Sequence, residues 1–490
     1  MMNISRSIDV SRSCHDCFHY LSDMRKLGEW DSRVKSSVKM GGGPIGRGST
    51  FKVKVSAGWF SYPMIYVITH YVPSQKLVLE GRSAFFTVKD TIQLTKSGGG
   101  SNILYRMTVY PKFGYGALMN RSEDHFNHHA DKLMACLSNA LQAEAPEPKL
   151  SAYNAKADEV TWRALLCFTR FGYVSGKRHW LPMSERMEGR HVLLTGANSG
   201  IGLAAAIALA NAGAELTLVV RSQKKAEETA ATIVAETGRS DISFELADLS
   251  LMSDTDALIS RLIGANRKID VLINNAGALF NEHRYTREGL EQSYALLLLS
   301  PWRLTEALHP LLATSKGHSQ DESQTITLGT AEEKKQTKAR VINVVSGGMY
   351  AERLNLKRLN ISSDGYRGAR AYAQCKRALS VMTEIWAQRW ENDNIVVNAM
   401  HPGWSDTPGV QKSLPLFRKI TRLVLRSHAE GADTIVWMAQ SRQAALSSGK
   451  LFLDREPRST YLLGNNVETT EARQGLEAKI ASDFASALED

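Results

Sequence analysis

A strand that runs straight into a glycine turn and then a helix constrains this chain more than any other stretch: "HVLLT", then "GANSGIG", then "LAAAIALA". Gly196, Gly200 and Gly202 are spaced G-x-x-x-G-x-G. Glycine lets the backbone turn tightly and approach a pyrophosphate, whose charge then sits over the amino end of the helix. A glycine pattern alone carries little; the strand before it and the helix after it give it weight. From Gly189 onward strands and helices alternate, with candidate strands "HVLLT", "ELTLVV", "ISFELA", "IDVLIN", "RVINVV" and "IVVNAM". That alternation predicts an α/β domain built on a doubly wound parallel sheet.

Residues 1–145 have a different texture. Short runs of alternating apolar and polar residues, "TFKVKVSA", "PMIYVITHYV", "KLVLEGR", "FFTVKDTIQL" and "NILYRMTVY", are separated by turn signals such as "GGGPIGRG" and "KSGGGSN". Helices are expected over Ser11–Met24 and about Gly116–Ala143. Strands followed by a long helix describe an α+β domain whose sheet curls around that helix. Residues 146–186 read as a connector: "EAPEPK" breaks the preceding helix, and "EVTWRALLCFTRFGYVSGKRHW" is amphipathic, aromatic and basic. Such a segment either docks on a domain surface or rests on a membrane interface. Residues 187–470 form the α/β domain and 471–490 a C-terminal helix. The polar stretch Ser315–Arg340 is too long for an ordered loop and is expected to be disordered.

At 490 residues the chain is too long for one core, which agrees with two domains. The net charge of +10 invites a nucleic-acid reading, but Lys and Arg are dispersed without a dense block. A basic face toward anionic lipid or a phosphate-bearing cofactor accounts for it, and no nucleic-acid partner is expected. No apolar run approaches the roughly 18 residues of a membrane span, and "MMNISRSIDVSRS" lacks a signal-peptide core. Five scattered cysteines give no disulfide framework. An intracellular, cytoplasmic protein is therefore expected. Cys14 and Cys17 lack the further ligands of a zinc site and read as small buried thiols.

Tyr372 and Lys376, in "GARAYAQCKRAL", stand four apart and project from one face of a helix. The strand "ELTLVV" ends in Arg221, where an NAD site would offer an acidic group to the ribose hydroxyls; a cation there suits a 2′-phosphate and argues for NADP(H).

With these residues in view, segment 187–465 resembles the short-chain dehydrogenases/reductases, a Rossmann-type family. The motifs are TGANSGIG (195–202), "ADL" (247–249), "NNAG" (274–277), Ser346 at a strand end in "VINVVSGGM", and Tyr372-x-x-x-Lys376, with "HPGWSDTPGV" (401–410) matching the segment under the nicotinamide. The resemblance implies an oxidoreductase in which Ser346 positions the substrate oxygen and Tyr372 gives or takes the proton. Lys376 would lower the Tyr372 pKa and hold the nicotinamide ribose. Cofactor contacts are implied for Gly196, Asn198, Ser199, Gly200, Ile201 and Gly202 at the turn, Arg221, and Leu249. Asp248 would contact adenine, Asn274 line the ribose, and Ala276, Gly277, Pro402 and Gly403 border the site, with Thr407 holding the carboxamide. There are two departures. Leu297, in "YALLLLS", takes the place of an Asn that bends its helix and holds a water leading to the lysine; leucine is expected to do neither. The insert between Ser346 and Tyr372 is long, as in retinol-dehydrogenase-like members.

Residues 3–143 resemble the polyketide-cyclase/START-like helix-grip superfamily, through "ISRSIDVSRS", "LSDMRKLGEWDSRV", "GGPIGRGSTFKVKV" and the long last helix. Such folds enclose an apolar cavity, for which Trp30, Trp59, Phe85 and Phe86 are candidate linings. His125, His128 and His129 lack a convergent third ligand, so no metal is expected. The leading function is an NADP(H)-dependent oxidoreductase for a lipophilic alcohol or carbonyl, fused to an apolar-ligand module. The alternative is a lipid-binding or regulatory protein with a weakly active reductase domain. Peripheral membrane contact and a homodimer are compatible with either.

Overall fold

Alternation builds the first sheet. Strands β1 (Met2–Val10), β2 (Val34–Met40), β3 (Thr50–Ala57), β4 (Phe60–Val72), β5 (Lys76–Arg82), β6 (Phe86–Ser97) and β7 (Gly100–Pro111) lie in the order β1-β7-β6-β5-β4-β3-β2. Every pairing is antiparallel. One face buries Phe51, Val53, Ile68, Leu77, Ile92 and Ile103 against Cys17, Phe18 and Leu21 of helix α1 (Cys14–Ser22). The Ser13 side chain caps α1 by accepting from the Asp16 N–H. Ala130, Leu133, Met134, Leu137 and Leu141, at helical spacing, close the same core. The computed structural model describes residues 2–112, 130–141, 148–313, 338–461 and 467–489, apart from 11, 32, 42–43, 58–59, 98–99, 132, 135, 139, 159–160, 178–179, 181–182, 184, 186 and 414. Trp59, the three histidines at 125, 128 and 129, and most of the polar stretch from Ser315 lie outside the described residues; the end of that stretch, Ala339 and Arg340, is strand.

The chain divides into two compact units, Met1–Ala145 and Pro146–Asp490. In the second, β8 (His191–Thr195), β9 (Glu215–Val220), β10 (Ile242–Leu246), β11 (Val271–Asn274), β12 (Ala339–Val344), β13 (Ile395–Met400), β14 (Leu451–Leu453) and β15 (Glu456–Arg458) take the order β10-β9-β8-β11-β12-β13-β14-β15. All pairs are parallel except β14 with β15. The order reverses between β8 and β11, which opens a crevice at the carboxyl ends of the strands. β8, β11, β12 and β13 are buried along their whole length, as a sheet covered on both faces requires.

The connector belongs to this second unit. Its helices α2 (Ala152–Asp158), α3 (Thr161–Phe168) and α4 (Arg170–Lys177) are held by two buried arginines. Arg458 pairs with Asp158, its Nε donating at 3.0 Å. Arg426 pairs with Asp454 and donates to the carbonyls of Cys167, Phe168 and Thr169, which end α3. A guanidinium at a helix carboxyl end satisfies otherwise orphaned carbonyls and meets the negative pole of the helix. Helices α5 (Gly200–Asn211), α6 (Ser300–Ala307), α7 (Gly368–Arg389), α8 (Pro408–Ser413), α9 (Pro415–Thr421), α10 (His428–Gln440) and α11 (Thr470–Glu489) complete what positions the site. Leu476 and Ile480 of α11 are fully buried in the core formed around α7. Among the described residues no helix is long and apolar enough to cross a membrane.

Candidate active site

The crevice is built around a turn that only glycine permits. Gly196 has φ +69°, and a Cβ there would come 2.7 Å from Ala276 Cα. A Cβ on Gly202 would lie 2.1 Å from the Gly196 carbonyl oxygen. Thr195 and Asn275 stitch this turn to the end of β11. The Asn275 and Ala276 N–H groups each donate to Thr195 Oγ1 at 3.0 Å, and Asn275 Nδ2 donates to the carbonyls of Thr195 and Gly196. Asn198, Ser199, Gly200 and Ile201 lead into α5, whose N-cap Ser199 makes no side-chain capping bond. The first N–H groups of α5 therefore suit a phosphate. The cradle fits a dinucleotide because its glycines let backbone pack on backbone at the turn and leave the amino end of α5 to a pyrophosphate.

Around it, Arg221 follows β9, exposed and without an ion-pair partner among the described residues. Asp248 accepts from the Ser250 N–H and hydroxyl, at 3.0 and 2.7 Å, and Leu249 is buried beside it. Asn274 is a correction. Its amide is turned into the interior, donating to Asn343 Oδ1 at 2.8 Å and Thr305 Oγ1 at 3.0 Å, while Asn343 donates to Thr383. A side chain committed to this buried ladder cannot line a ribose. The neighbouring Asn275, which the sequence reading passed over, holds the turn instead.

Ser346 follows β12, and Tyr372 and Lys376 share one face of α7, so the sheet and the helix bring all three together. Ser346 stands near enough to Tyr372 to lower its phenol, and its Oγ accepts from the Gly348 N–H at 3.2 Å. Burial raises the Tyr372 phenol, and Ser346 works against that rise. The lowering expected from Lys376 is thus not what sets this phenol; the Lys376 Nζ stands 6.0 Å from the ring centroid. Lys376 itself is buried, donates to the Val344 carbonyl at 2.7 Å, and is pushed down to about 8 by burial.

Leu297 also departs from expectation. The backbone is π-helical over Ala295–Leu299, so the local distortion persists with leucine in the sequence. The absence of a polar side chain is real: Leu297 is fully buried, and a Cβ on Gly277 would come 3.0 Å from Leu297 Cδ2 and 3.6 Å from Lys376 Nζ. A methyl group thus borders the same space as the ammonium.

After β13, Pro402 accepts from the Ser405 hydroxyl, and Gly403 has φ +68° with Arg426 and the Phe168 carbonyl packed against it. Thr407 follows on the same loop, its N–H bonded to the Ser405 carbonyl at 2.9 Å. The Phe168 ring meets His401 edge-on at 4.6 Å and lies near Tyr350 and Trp404, at 5.9 and 6.2 Å between centroids. His401 is fully buried and held far below its ordinary pKa, first by burial and then by Arg426. It is therefore a neutral wall and not a proton donor at neutral pH. Trp404 in turn meets Phe417 of α9 edge-on at 5.2 Å. The connector thus packs a buried aromatic ring behind the loops that carry Ser346 and Gly403.

In the amino-terminal unit a cavity partly open to solvent is lined by Trp30 and mainly aliphatic side chains. Phe85 and Phe86 instead pack edge-on against Tyr62.

Residues 190–320 match the family model for short chain dehydrogenase, and residues 1–133 match that for polyketide cyclase / dehydrase and lipid transport. Human dehydrogenase/reductase SDR family member 12 is 37% identical over 308 residues, covering 62% of this chain and 90% of that protein. Its Bos taurus counterpart is 36% identical over 321 residues, covering 65% and 94%. Human retinol dehydrogenase 13 is 27% identical over 288 residues, covering 57% and 80%. Among solved structures, L-sorbose reductase from Gluconobacter frateurii, complexed with NADPH and L-sorbose, aligns with a TM-score of 0.43 at 21% identity, over 58% of this chain and 100% of that one.

Proposed function

This chain belongs to the short-chain dehydrogenase/reductase family, and from that premise we propose that it is an NADP(H)-dependent oxidoreductase acting on a lipophilic alcohol–carbonyl pair. The observation that carries the reading is Ser346 at the end of β12 beside Tyr372, with Lys376 one turn along the same helix. NADP(H), when bound, supplies or accepts the hydride. The Ser346 hydroxyl holds the substrate oxygen, and the Tyr372 phenol gives that oxygen a proton in reduction or takes it back in oxidation. Lys376, whose ammonium keeps donors beyond the one given to the Val344 carbonyl, is the group assigned to the nicotinamide ribose. Arg221 is the group suited to the 2′-phosphate, and its planar fork matches that anion. The aromatic wall of Phe168, Tyr350 and Trp404 beside Ser346 supports an apolar substrate.

The amino-terminal cavity supports a second part of the reading, a module that binds an apolar ligand. A third part concerns lipid surfaces. Leu416, Ile420 and Leu423 are 70%, 75% and 88% exposed, and Phe171 is 68% exposed. These tips are neighbours, because the Arg170 N–H bonds the Val424 carbonyl at 2.8 Å. Exposed Lys177, Lys419 and Arg422 flank them, while the nearby acids Glu430 and Asp406 are already paired with Arg170 and Arg418. Apolar tips flanked by exposed cations suit a bilayer containing anionic lipid.

The test of the enzymatic reading is hydride transfer to a panel of lipophilic ketones, followed by NADPH absorbance, in wild type and Tyr372→Phe. The expected result is turnover in the wild type that is lost in the variant, with nucleotide affinity kept. Undiminished turnover in Tyr372→Phe would sink the assignment.

A further inference from the structure

Along β6 the residues Val88, Asp90, Ile92 and Leu94 face inward, so a carboxyl stands in an apolar stripe. The site around it is built. Tyr105 of β7 donates its hydroxyl to Asp90 Oδ1 at 2.8 Å, and Tyr66 of β4 lies near enough to lower the carboxyl. A Cβ on Gly81 would come 2.6 Å from the Tyr66 ring, so the absence of a side chain there makes room for that tyrosine. All three polar residues line the cavity, whose remaining wall includes Ile4, Leu21, Met24, Leu79, Ile92 and Leu133. The other charges at the cavity are Asp31 and Arg33, paired at 3.2 Å.

We propose that Asp90, Tyr66 and Tyr105 are the polar anchor of an amphiphile-binding site, in which the cavity takes the hydrocarbon body and Asp90 accepts a hydrogen bond from the ligand's hydroxyl. This rests on the ligand-module reading above and adds the class of ligand. An ionised carboxylate only accepts, and the Tyr105 donor leaves acceptor capacity free of about four lone-pair sites. A ketone also only accepts, so it meets like poles at Asp90. The anchor therefore distinguishes an alcohol from the carbonyl compound of the same skeleton, the two forms that the second unit would interconvert. Burial raises Asp90 to about 7, with Tyr105 lowering it, Asp31 raising it, and Arg33 and Tyr66 lowering it. Above that value the carboxylate selects the alcohol; below it the acid can donate to a ketone and the selection weakens.

The experiment uses the full chain without nucleotide, with Nile red as the cavity probe and dodecan-2-ol or dodecan-2-one as competitor. At about pH 8 the alcohol should displace the probe at roughly tenfold lower concentration than the ketone, the scale of one hydrogen bond to a charged group. The ratio should shrink near pH 6, fall to about one in Asp90→Asn, whose amide both donates and accepts, and narrow in Tyr105→Phe, which keeps the ring packing. Equal displacement by both compounds in the wild type, or a ratio that survives in both variants, overturns the anchor while leaving an unselective ligand module standing. Failure of both compounds and of Nile red to bind overturns the module and the anchor together.

Discussion

Phe168 lies against Gly347, the residue after Ser346: a Cβ on Gly347 would come 3.1 Å from Phe168 Cε2. The helix that carries Phe168 therefore backs the loop that follows Ser346. Removing a buried phenylalanine side chain costs about 3–5 kcal/mol through lost burial and the cavity left behind. Phe168→Ala should lower the stability of the second unit by that order in urea unfolding and raise KM for an apolar substrate more than it lowers kcat. A variant with unchanged stability and KM would show that the helix is merely attached.

Arg221 predicts nucleotide preference. Pairing a guanidinium with a phosphate involves a charge-assisted, two-pronged bond, which Asp at that position reverses into repulsion. Arg221→Asp should weaken NADPH by about 2 kcal/mol or more and leave NADH within a few-fold, the range of a hydrogen bond to a charged group. Fluorescence titration of both nucleotides checks it. Equal affinity for NADPH and NADH in the wild type removes the basis of the assignment.

The pH dependence follows from Tyr372. Burial raises its phenol, so it carries its proton at neutral pH and is ready to act as the acid in reduction. Oxidation needs the phenolate, whose fraction grows as pH rises. Thus kcat/KM for ketone reduction should be flat through neutrality and fall in the alkaline range, while that for alcohol oxidation should climb there. Lys376, lowered to about 8, loses its charge in the folded protein before an unperturbed lysine does. Its folded value lies below the unfolded one, so between the two the unfolded chain holds more protons, and this group makes stability rise with pH across that window. Parallel profiles for the two directions would contradict the role given to Tyr372.

Much of this was legible in advance. "TFKVKVSA", "KLVLEGR", "HVLLT", "ELTLVV" and "IVVNAM" coincide with β3, β5, β8, β9 and β13, because alternation and continuous apolar runs are local signals. β2 escaped notice since "VKSSVKM" is an edge strand with few inward apolar residues, and only pairing with β3 defines it. Asn274 and Asn275 are indistinguishable as letters; which amide turns inward depends on the strand's pleat against Asn343. Asp90 was written in the pattern "VKDTIQL", where it occupies an inward position, yet its tyrosine partners come from distant strands. Phe168 needed the tertiary fold altogether, since its neighbours Gly347, His401 and Trp404 are remote in sequence.

Leu297 sits in a π-helical turn with its side chain fully buried near Gly277 and Lys376. Asparagine there would place an amide beside the ammonium and admit a water, at about 1–3 kcal/mol of stability if its groups are incompletely bonded. Leu297→Asn should melt earlier, keep or raise turnover, and show a smaller solvent-deuterium effect, because proton resupply to Tyr372 gains a path. Slower turnover with an unchanged isotope effect would mean that the relay does not pass this position.

The lipid-surface reading makes a sharper demand, because the exposed tips and the flanking cations must act together. Apolar residues enter the headgroup region and contribute through buried area, whereas each nearby Lys or Arg adds about 1 kcal/mol on an anionic leaflet and is screened by salt. The full chain should therefore sediment with vesicles of phosphatidylcholine and phosphatidylserine, bind pure phosphatidylcholine weakly, and be released as salt rises. Replacing Leu416, Ile420 and Leu423 together with serine should abolish sedimentation while leaving turnover of a short, water-soluble alcohol unchanged, since all three side chains are largely exposed. Replacing Lys419 and Arg422 with glutamine should remove the preference for anionic lipid and keep the weaker apolar binding. If the wild type ignores vesicles and is instead a dimer by light scattering that the serine variant converts to monomer, the tips belong to a subunit interface and the lipid reading falls.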